Sequence, residues 1–430
     1  MVLSLAAKLE LDEGKIVRIM GPANVVVEQG KVKVLGIEFG AGSRFIVHRY
    51  RSYAVKAIER CTLSIVLGEG GSIEEPAEGE EVVDSWEAIA NEVVESRGIA
   101  VVVGPVDSGK TSLSTMIANV ALSRGLKVAV IDADIGQGDL APPGFIALKF
   151  YDRPTLWLRE FKGDVLRFVG YITPTYPTAA ERLISAVRDL VQIARDRGSE
   201  VIVVNTDGWI SGYSAIEHKL DLVKSVRPTH LLVLDDQLAQ RFEIALRRSN
   251  VKVVRVPRPK VVRERNRIDR RVLRRQHYQS FFQNAKRICL DLSSLYIVGS
   301  CLFSGNTLSP DKVEDIAKAL GLEPSYAAEL EDLIAVFVET DRALDSTQLR
   351  ELVGKDVYII TRSTVKGVLA AVLDGDLNEV APALIDYMSI AENKICIATE
   401  WNGEIRGLMI GRIKLSENWE EVGKPMKCLL

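Results

Sequence analysis

The 430-residue chain has little of what secreted, zinc-centred or membrane-spanning proteins are built from. Cysteine is scarce: Cys61, Cys289, Cys301, Cys396 and Cys428 are odd in number, widely scattered and never arranged as CxxC. That spacing argues against a disulfide framework and against a structural zinc site, and it fits a reducing compartment. No uncharged apolar run approaches the roughly 20 residues that a spanning helix needs. The N-terminal Met1-Val2-Leu3-Ser4-Leu5 meets Lys8, Glu10 and Asp12 almost at once, which is not the pattern of a leader or anchor. The expectation is a cytoplasmic protein with no membrane partner. Nor is there any repeat at a solenoid period or a collagen-like use of glycine. With 47% hydrophobic and 26% charged residues the whole chain should fold, and its length asks for more than one domain.

Acidic residues are what one stretch lacks. From Arg255 to Arg287 there are twelve Lys and Arg against Glu264 and Asp269, so this segment carries +10 in a chain whose net charge is -3, leaving -13 elsewhere. Local basicity of this kind points to an anionic partner. The rest of the chain divides by pattern. Residues 15 to 67 alternate apolar with polar and predict short antiparallel strands with glycine turns, and the acidic, Gly/Pro-rich stretch Gly68 to Glu81 reads as linker or surface loop. A helix is expected from an N-cap at Asp84 or Ser85, burying Trp86, Ile89, Ala90, Val93 and Val94 and ending before Gly98. The apolar runs Ile99 to Val103, Val128 to Ile131, Val201 to Val204 and Leu231 to Leu234 alternate with amphipathic segments, as in a parallel sheet covered by helices. Beyond Asp291, helices such as Asp311 to Leu320 mix with strands, and Trp401-Asn402-Gly403-Glu404 signals a hairpin between Ile395–Thr399 and Ile405–Ile410. The expected fold class is α/β, with a β-rich N-terminal domain (1–80), a central domain with a mostly parallel sheet (84–290) and an α+β C-terminal domain (291–430).

Chemistry gathers in the central segment. Gly104-Pro105-Val106-Asp107-Ser108-Gly109-Lys110-Thr111-Ser112 follows a strand and opens a helix, and its GxxxxGKT pattern is that of a phosphate-binding P-loop. Glycines let the backbone amides face a polyphosphate, and the helix N-terminus reinforces them. Lys110 should reach the β and γ phosphates and Thr111 should hold Mg. The next strand ends in Asp132-Ala133-Asp134-Ile135-Gly136-Gln137-Gly138-Asp139, which places carboxylates at the ligand-facing edge: one can order Mg-bound water, the other can accept a proton. The loop Tyr171 to Thr178 is rich in hydroxyls and suits a phosphate, although Thr175 or Thr178 serves equally as an N-cap of the helix that follows. At the end of the strand Val201 to Val204 stands Asn205-Thr206-Asp207-Gly208-Trp209, whose indole can stack on a base or simply pack. In the basic stretch Arg263, Arg265, Arg267, Arg270, Arg271, Arg274 and Arg275 crowd together, and a helix from about Ile268 would align most of them as a guanidinium stripe. Such a stripe is costly unless phosphates neutralise it, and it could act as a lid, as a nucleic-acid contact, or as both.

Taken together, GPVDSGKTS, DADIGQGD with PPG after it, TPTYPT, NTDGWISG and the arginine spacing before Phe281-Phe282 resemble the polynucleotide 5'-hydroxyl kinase family, which includes the RNA kinases of pre-mRNA cleavage, tRNA splicing and pre-rRNA processing and stand-alone archaeal enzymes. The likeness is strong from Gly104 to Phe282 and reaches the flanks only as a three-domain layout. It implies transfer of the γ-phosphoryl group of ATP or GTP, with Mg, to the single-stranded 5'-hydroxyl end of RNA, and of DNA, with room for RNA-processing protein partners. It also implies roles: Gly104 to Ser112 bind the nucleotide, Thr111 and Asp132 serve the metal, and Lys110, Asp134, Arg265, Arg270 and Arg274 are catalytic. Gln137, Thr173 and Trp209 hold the substrate. Two positions depart from the pattern. Asp207 fills a variable site, and Asp107 stands where a small or amide residue is expected, bringing a negative charge toward the phosphates. The rival reading is a P-loop ATPase or GTPase switch that binds RNA or protein without phosphorylating it.

Overall fold

Alternating apolar residues from Leu5 to Leu67 build two antiparallel sheets in the structure, a computed structural model that describes residues 5–261, 265–342, 344–423 and 427–430. One sheet runs in the order Leu5–Leu11, Cys61–Leu67, Ala23–Gln29, Arg44–Val47; the other runs Ile37–Gly40, Lys31–Val34, Ser52–Ala57, Ile16–Met20, Ser72–Glu74. Their inward residues, among them Val17, Ile19, Val25, Val55, Leu63 and Ile65, are fully buried and make one core. Each contributes about 1.5–3 kcal/mol by leaving water. The acidic stretch 68–81 is not a free linker. Ser72–Glu74 adds an edge strand to Ile16–Met20, and the carboxylates of Glu74, Glu80 and Glu81 lie 3.2, 3.5 and 2.7 Å from the buried guanidinium of Arg18. A buried arginine is costly without counter-charge, so this acidity is structural.

The strands just described belong to the first of two units, which comprises Met1–Asp134, Ala147–Asp164 and Leu183–Arg270. Its central sheet runs in the order Phe145–Phe150 (through residues 147–150), Val128–Ala133, Val201–Thr206, Gly98–Val103, His230–Val233, Lys252–Arg255. Five of these strands are parallel and Phe145–Phe150 is antiparallel, so the sheet is mixed rather than wholly parallel. Four of the parallel strands are buried along nearly their whole length, as expected of strands covered on both faces, while the edge strand Lys252–Arg255 is not. The helix Val83–Ser96 packs on the helix Lys110–Ser123, which packs on the sheet. Its N-cap is Val82, not Asp84 or Ser85, and Ile89 is only half-buried. Asp84 lies in the first turn, paired with Lys56, where a negative charge suits the helix dipole.

The second unit comprises Ile135–Ile146, Val165–Arg182 and Arg271–Leu430. A six-stranded sheet runs in the order Lys286–Asp291, Lys394–Thr399, Glu379–Ser389, Val368–Leu373, Gly407–Lys414, Tyr296–Val298, and a four-stranded sheet runs Asn306–Thr307, Tyr326–Glu329, Leu333–Val338, Asp356–Thr361. Lys394–Thr399 and Gly407–Lys414 are therefore not a hairpin: two strands lie between them. Trp401 closes its own loop instead, its indole N–H donating to Glu404 O at 3.1 Å, while both strands bury apolar residues inside the sheet. The cysteines also depart from expectation. Cys289 and Cys396 sit opposite one another on antiparallel strands and are disulfide-bonded, as are Cys301 and Cys428, whereas Cys61 is free and buried. Residues 107 and 127 positions apart in the chain become neighbours through pairing that their spacing does not reveal.

Candidate active site

After Val103 the chain turns through Gly104–Gly109 and enters the helix Lys110–Ser123. Gly109 has φ +95°, and a Cβ there would meet the Trp86 ring at 2.6 Å. Trp86 is itself anchored by its indole N–H, which donates to Pro257 O at 2.8 Å, so it backs the loop from behind. Ser108 Oγ and Lys110 Nζ both donate to Pro105 O, at 2.9 and 2.6 Å. Lys110 is buried, and burial pushes its ammonium down to about 8, with Asp134 and then Asp207 pulling the other way. A cation desolvated beside a helix N-terminus is under-neutralised and favours an incoming anion.

Asp132 and Asn205 are register neighbours on adjacent parallel strands. The Asn205 amide donates to Asp132 Oδ1 at 3.0 Å and to Thr111 Oγ1 at 3.3 Å, which joins the P-loop helix to both strand ends. Asn205 Oδ1 is buried without a hydrogen-bond partner. A corner of hydroxyl, carboxylate and orphaned amide oxygen is the hard donor chemistry that Mg prefers, and the residues fit that ion. Among the described residues no cluster of three or more His, Cys, Asp or Glu forms a self-sufficient metal cage. Mg commonly binds through one or two protein oxygens plus phosphates, so such a cage is not required. Asp134 is half-buried at the strand's end, and it is the foremost charge acting on Lys110.

The turn Asp207-Gly208-Trp209 lies against the P-loop: a Cβ on Gly208 would come within 2.9 Å of the Val106 backbone nitrogen, so only glycine allows this approach. Asp207 is buried. Burial alone would raise its carboxyl, but Lys219 Nζ at 2.6 Å holds it below the ordinary range, and its other oxygen accepts the Trp209 N–H at 2.8 Å. The Trp209 ring is half-buried, 5.6 Å from the His218 ring, whose pKa falls to about 4 through burial and the Lys219 charge. Trp209 is thus partly exposed beside the P-loop. Asn205, Gly208 and Lys219 were not singled out from sequence, although the strand-end position of Asn205 was a usable signal.

The arginines are neutralised differently from expectation. The helix Arg267–Phe282 opens with a reciprocal cap between Asn266 and Asp269. Arg265 meets the unexpected P-loop carboxylate of Asp107, with Nε and an Nη atom 2.8 and 2.6 Å from Oδ1, and an Nη atom of Arg270 is 3.9 Å from Oδ2. In the second unit Arg274 is paired with Glu421 at 2.6 and 2.8 Å, and Arg271 and Arg275 face Glu420 at 3.0 and 3.8 Å. Carboxylates distant in sequence therefore relieve the crowding that seemed to demand phosphate. Arg263 and Glu264 lie outside the described residues. Gln137 and Thr173 belong to the second unit: Gln137 donates to Gly136 O at 2.7 Å, and the hydroxyls of Thr173 and Thr175 lie 3.2 Å apart. The helix Pro177–Asp196 places Thr178 in its first turn, so Thr178 is not its cap.

Residues 104–284 match the family model described as the P-loop of the mRNA cleavage and polyadenylation factor CLP1. A polyribonucleotide 5'-hydroxyl-kinase of Pyrococcus abyssi is 28% identical over 336 residues, covering 75% of this chain and 89% of the relative. One from Methanocaldococcus jannaschii is 24% identical over 331 residues, covering 75% and 88%. A CLP1 homolog of Anopheles gambiae is 29% identical over 195 residues, covering 44% of this chain and 46% of its own. The solved structure of a Clp1p–Pcf11p complex is similar in fold, with a TM-score of 0.63 at 15% identity over 95% of this chain and 98% of that one.

Proposed function

We propose that the chain, whose residues 104–284 match the CLP1 P-loop family model, is an NTP-dependent polynucleotide 5'-hydroxyl kinase acting on RNA and on DNA. The observation that carries this reading is the meeting of Lys110, Asp134 and the Asp207–Trp209 turn at one P-loop. A nucleotide hydrolase needs only water as acceptor; a partly exposed aromatic ring beside the phosphate cradle suits a nucleic-acid end.

In the reaction the 5'-hydroxyl oxygen forms a bond to the γ-phosphorus, the bond from that phosphorus to the β–γ bridging oxygen breaks, and a nucleoside diphosphate leaves. The hydroxyl proton passes to Asp134 late in the transfer. Backbone N–H groups of the Gly104 to Ser112 loop, Pro105 excepted, and the Lys110 ammonium hold the donor, and Arg265 and Arg270 neutralise charge that develops on the transferred group. Thr111 and Asp132, with Asn205 behind them, would hold Mg, which when bound supplies charge neutralisation on the phosphates. Trp209 positions the acceptor strand.

The test is to incubate 5'-hydroxyl RNA and DNA oligonucleotides with ATP or GTP and Mg and to weigh the products by mass spectrometry. Gain of one phosphate on the oligonucleotide is the expected result. Release of inorganic phosphate with the oligonucleotide mass unchanged would replace the kinase with an NTPase switch.

A further inference from the structure

Asp107 sits inside the phosphate cradle, where a carboxylate repels the phosphates it must share space with. It also takes φ +58°, a left-handed conformation that Asp and Asn tolerate better than most residues. Two unfavourable features at one position call for a compensating role, and the structure supplies one. Both oxygens of Asp107 are engaged by Arg265. Oδ1 receives its guanidinium at 2.8 and 2.6 Å, and Oδ2 accepts its backbone N–H at 3.1 Å while lying 3.9 Å from Arg270. The pair is well shielded, with the Asp107 side chain 10% and the Arg265 side chain 23% exposed, so it is screened less than a surface ion pair. The two residues are 158 positions apart, and the helix Arg267–Phe282 begins two residues after Arg265.

We propose that Asp107 is a positioning residue for phosphoryl transfer: its carboxylate fixes the Arg265 guanidinium, and with it the entry of the arginine helix, at the P-loop. This rests on the kinase reading for the identity of the transferred group. An arginine side chain has many rotamers, and an unanchored guanidinium would have to be ordered anew at every turnover. Tethering it to the same loop that binds the phosphates places it beside the reacting group in advance, at the expense of some nucleotide affinity. Asp107 touches no reacting atom in this account. It acts through Arg265.

The test is a double-mutant cycle with Asp107→Asn, which keeps the side-chain shape and the tolerated backbone conformation, and Arg265→Ala, with residual transfer from Arg265→Ala followed over long time courses. Asp107→Asn is expected to lower kcat by about ten- to a hundredfold, the scale of a slightly misplaced group, while KM for the nucleotide stays the same or falls because a repulsive charge is gone. In the Arg265→Ala background the same change is expected to lower kcat by less than about twofold, since coupled residues are not additive. An unchanged kcat, a raised nucleotide KM, or an equal loss in both backgrounds would overturn the proposal. If wild-type protein released phosphate without labelling the oligonucleotide, the kinase reading would fail, and the same cycle read on phosphate release would still decide whether Asp107 works through Arg265.

Discussion

Lys219 Nζ lies 2.6 Å from Asp207 Oδ2, and both side chains are buried. The pair holds the turn that carries Trp209, because the other Asp207 oxygen accepts the Trp209 N–H. Removing one partner strands a buried charge. Lys219→Ala should therefore lose about 3–5 kcal/mol of stability, measurable by chemical denaturation. A loss below about 1 kcal/mol would mean that the turn does not depend on the pair.

Trp209→Ala should spare nucleotide binding and weaken the acceptor. A base–aromatic contact is worth about 1–3 kcal/mol, so KM for a 5'-hydroxyl oligonucleotide should rise by roughly fivefold to 150-fold. Steady-state kinetics with the oligonucleotide varied at saturating nucleotide checks this, and an unchanged KM would return Trp209 to a packing role.

The pH dependence of nucleotide binding follows from Lys110. Its ammonium, ordinarily near 10.5, is pushed down to about 8 by burial. Between those values the native state binds fewer protons than the unfolded chain, so this group's contribution to stability rises with pH across that window. Nucleotide affinity should move the other way, staying flat below about 8 and weakening up to tenfold per pH unit above it, as the cation needed by the phosphates is lost. Lys110→Arg, whose guanidinium does not deprotonate, should flatten that profile. Isothermal titration at several pH values reads both.

Asn205→Ala removes the amide that ties Thr111 to Asp132 and the orphaned oxygen beside them. The Mg concentration for half-maximal transfer should rise by about ten- to a hundredfold, the usual scale for an outer-shell partner. Binding of nucleotide in the presence of EDTA should change little. An unaltered Mg requirement would remove Asn205 from the metal corner.

The P-loop was legible because one contiguous segment carries its whole chemistry: Gly104 to Thr111 between a strand and a helix leaves few other readings. The apolar runs of the central sheet were legible for a similar reason, since Val and Ile buried on both faces write an unbroken pattern. Partnerships across long separations were not. Nothing near Arg274 announces Glu421, 147 residues on, and nothing near Arg265 announces Asp107. The stripe's charge was counted locally and its counter-ions lie elsewhere. The Cys289–Cys396 pairing was hidden similarly, because it follows from strand register rather than spacing. The turn at Trp401 carried a true loop signal and a false pairing signal, since burial in the sheet decided which strands became neighbours.

The central claim is that Asp134 serves the acceptor hydroxyl while the P-loop serves the donor, and a single-turnover transfer from γ-labelled nucleotide to a 5'-hydroxyl RNA by Asp134→Asn tests it most directly. The account predicts nucleotide binding close to that of the wild type and label transfer slowed by at least about a hundredfold, the scale of a lost general base. Transfer at the wild-type rate by that variant would contradict it.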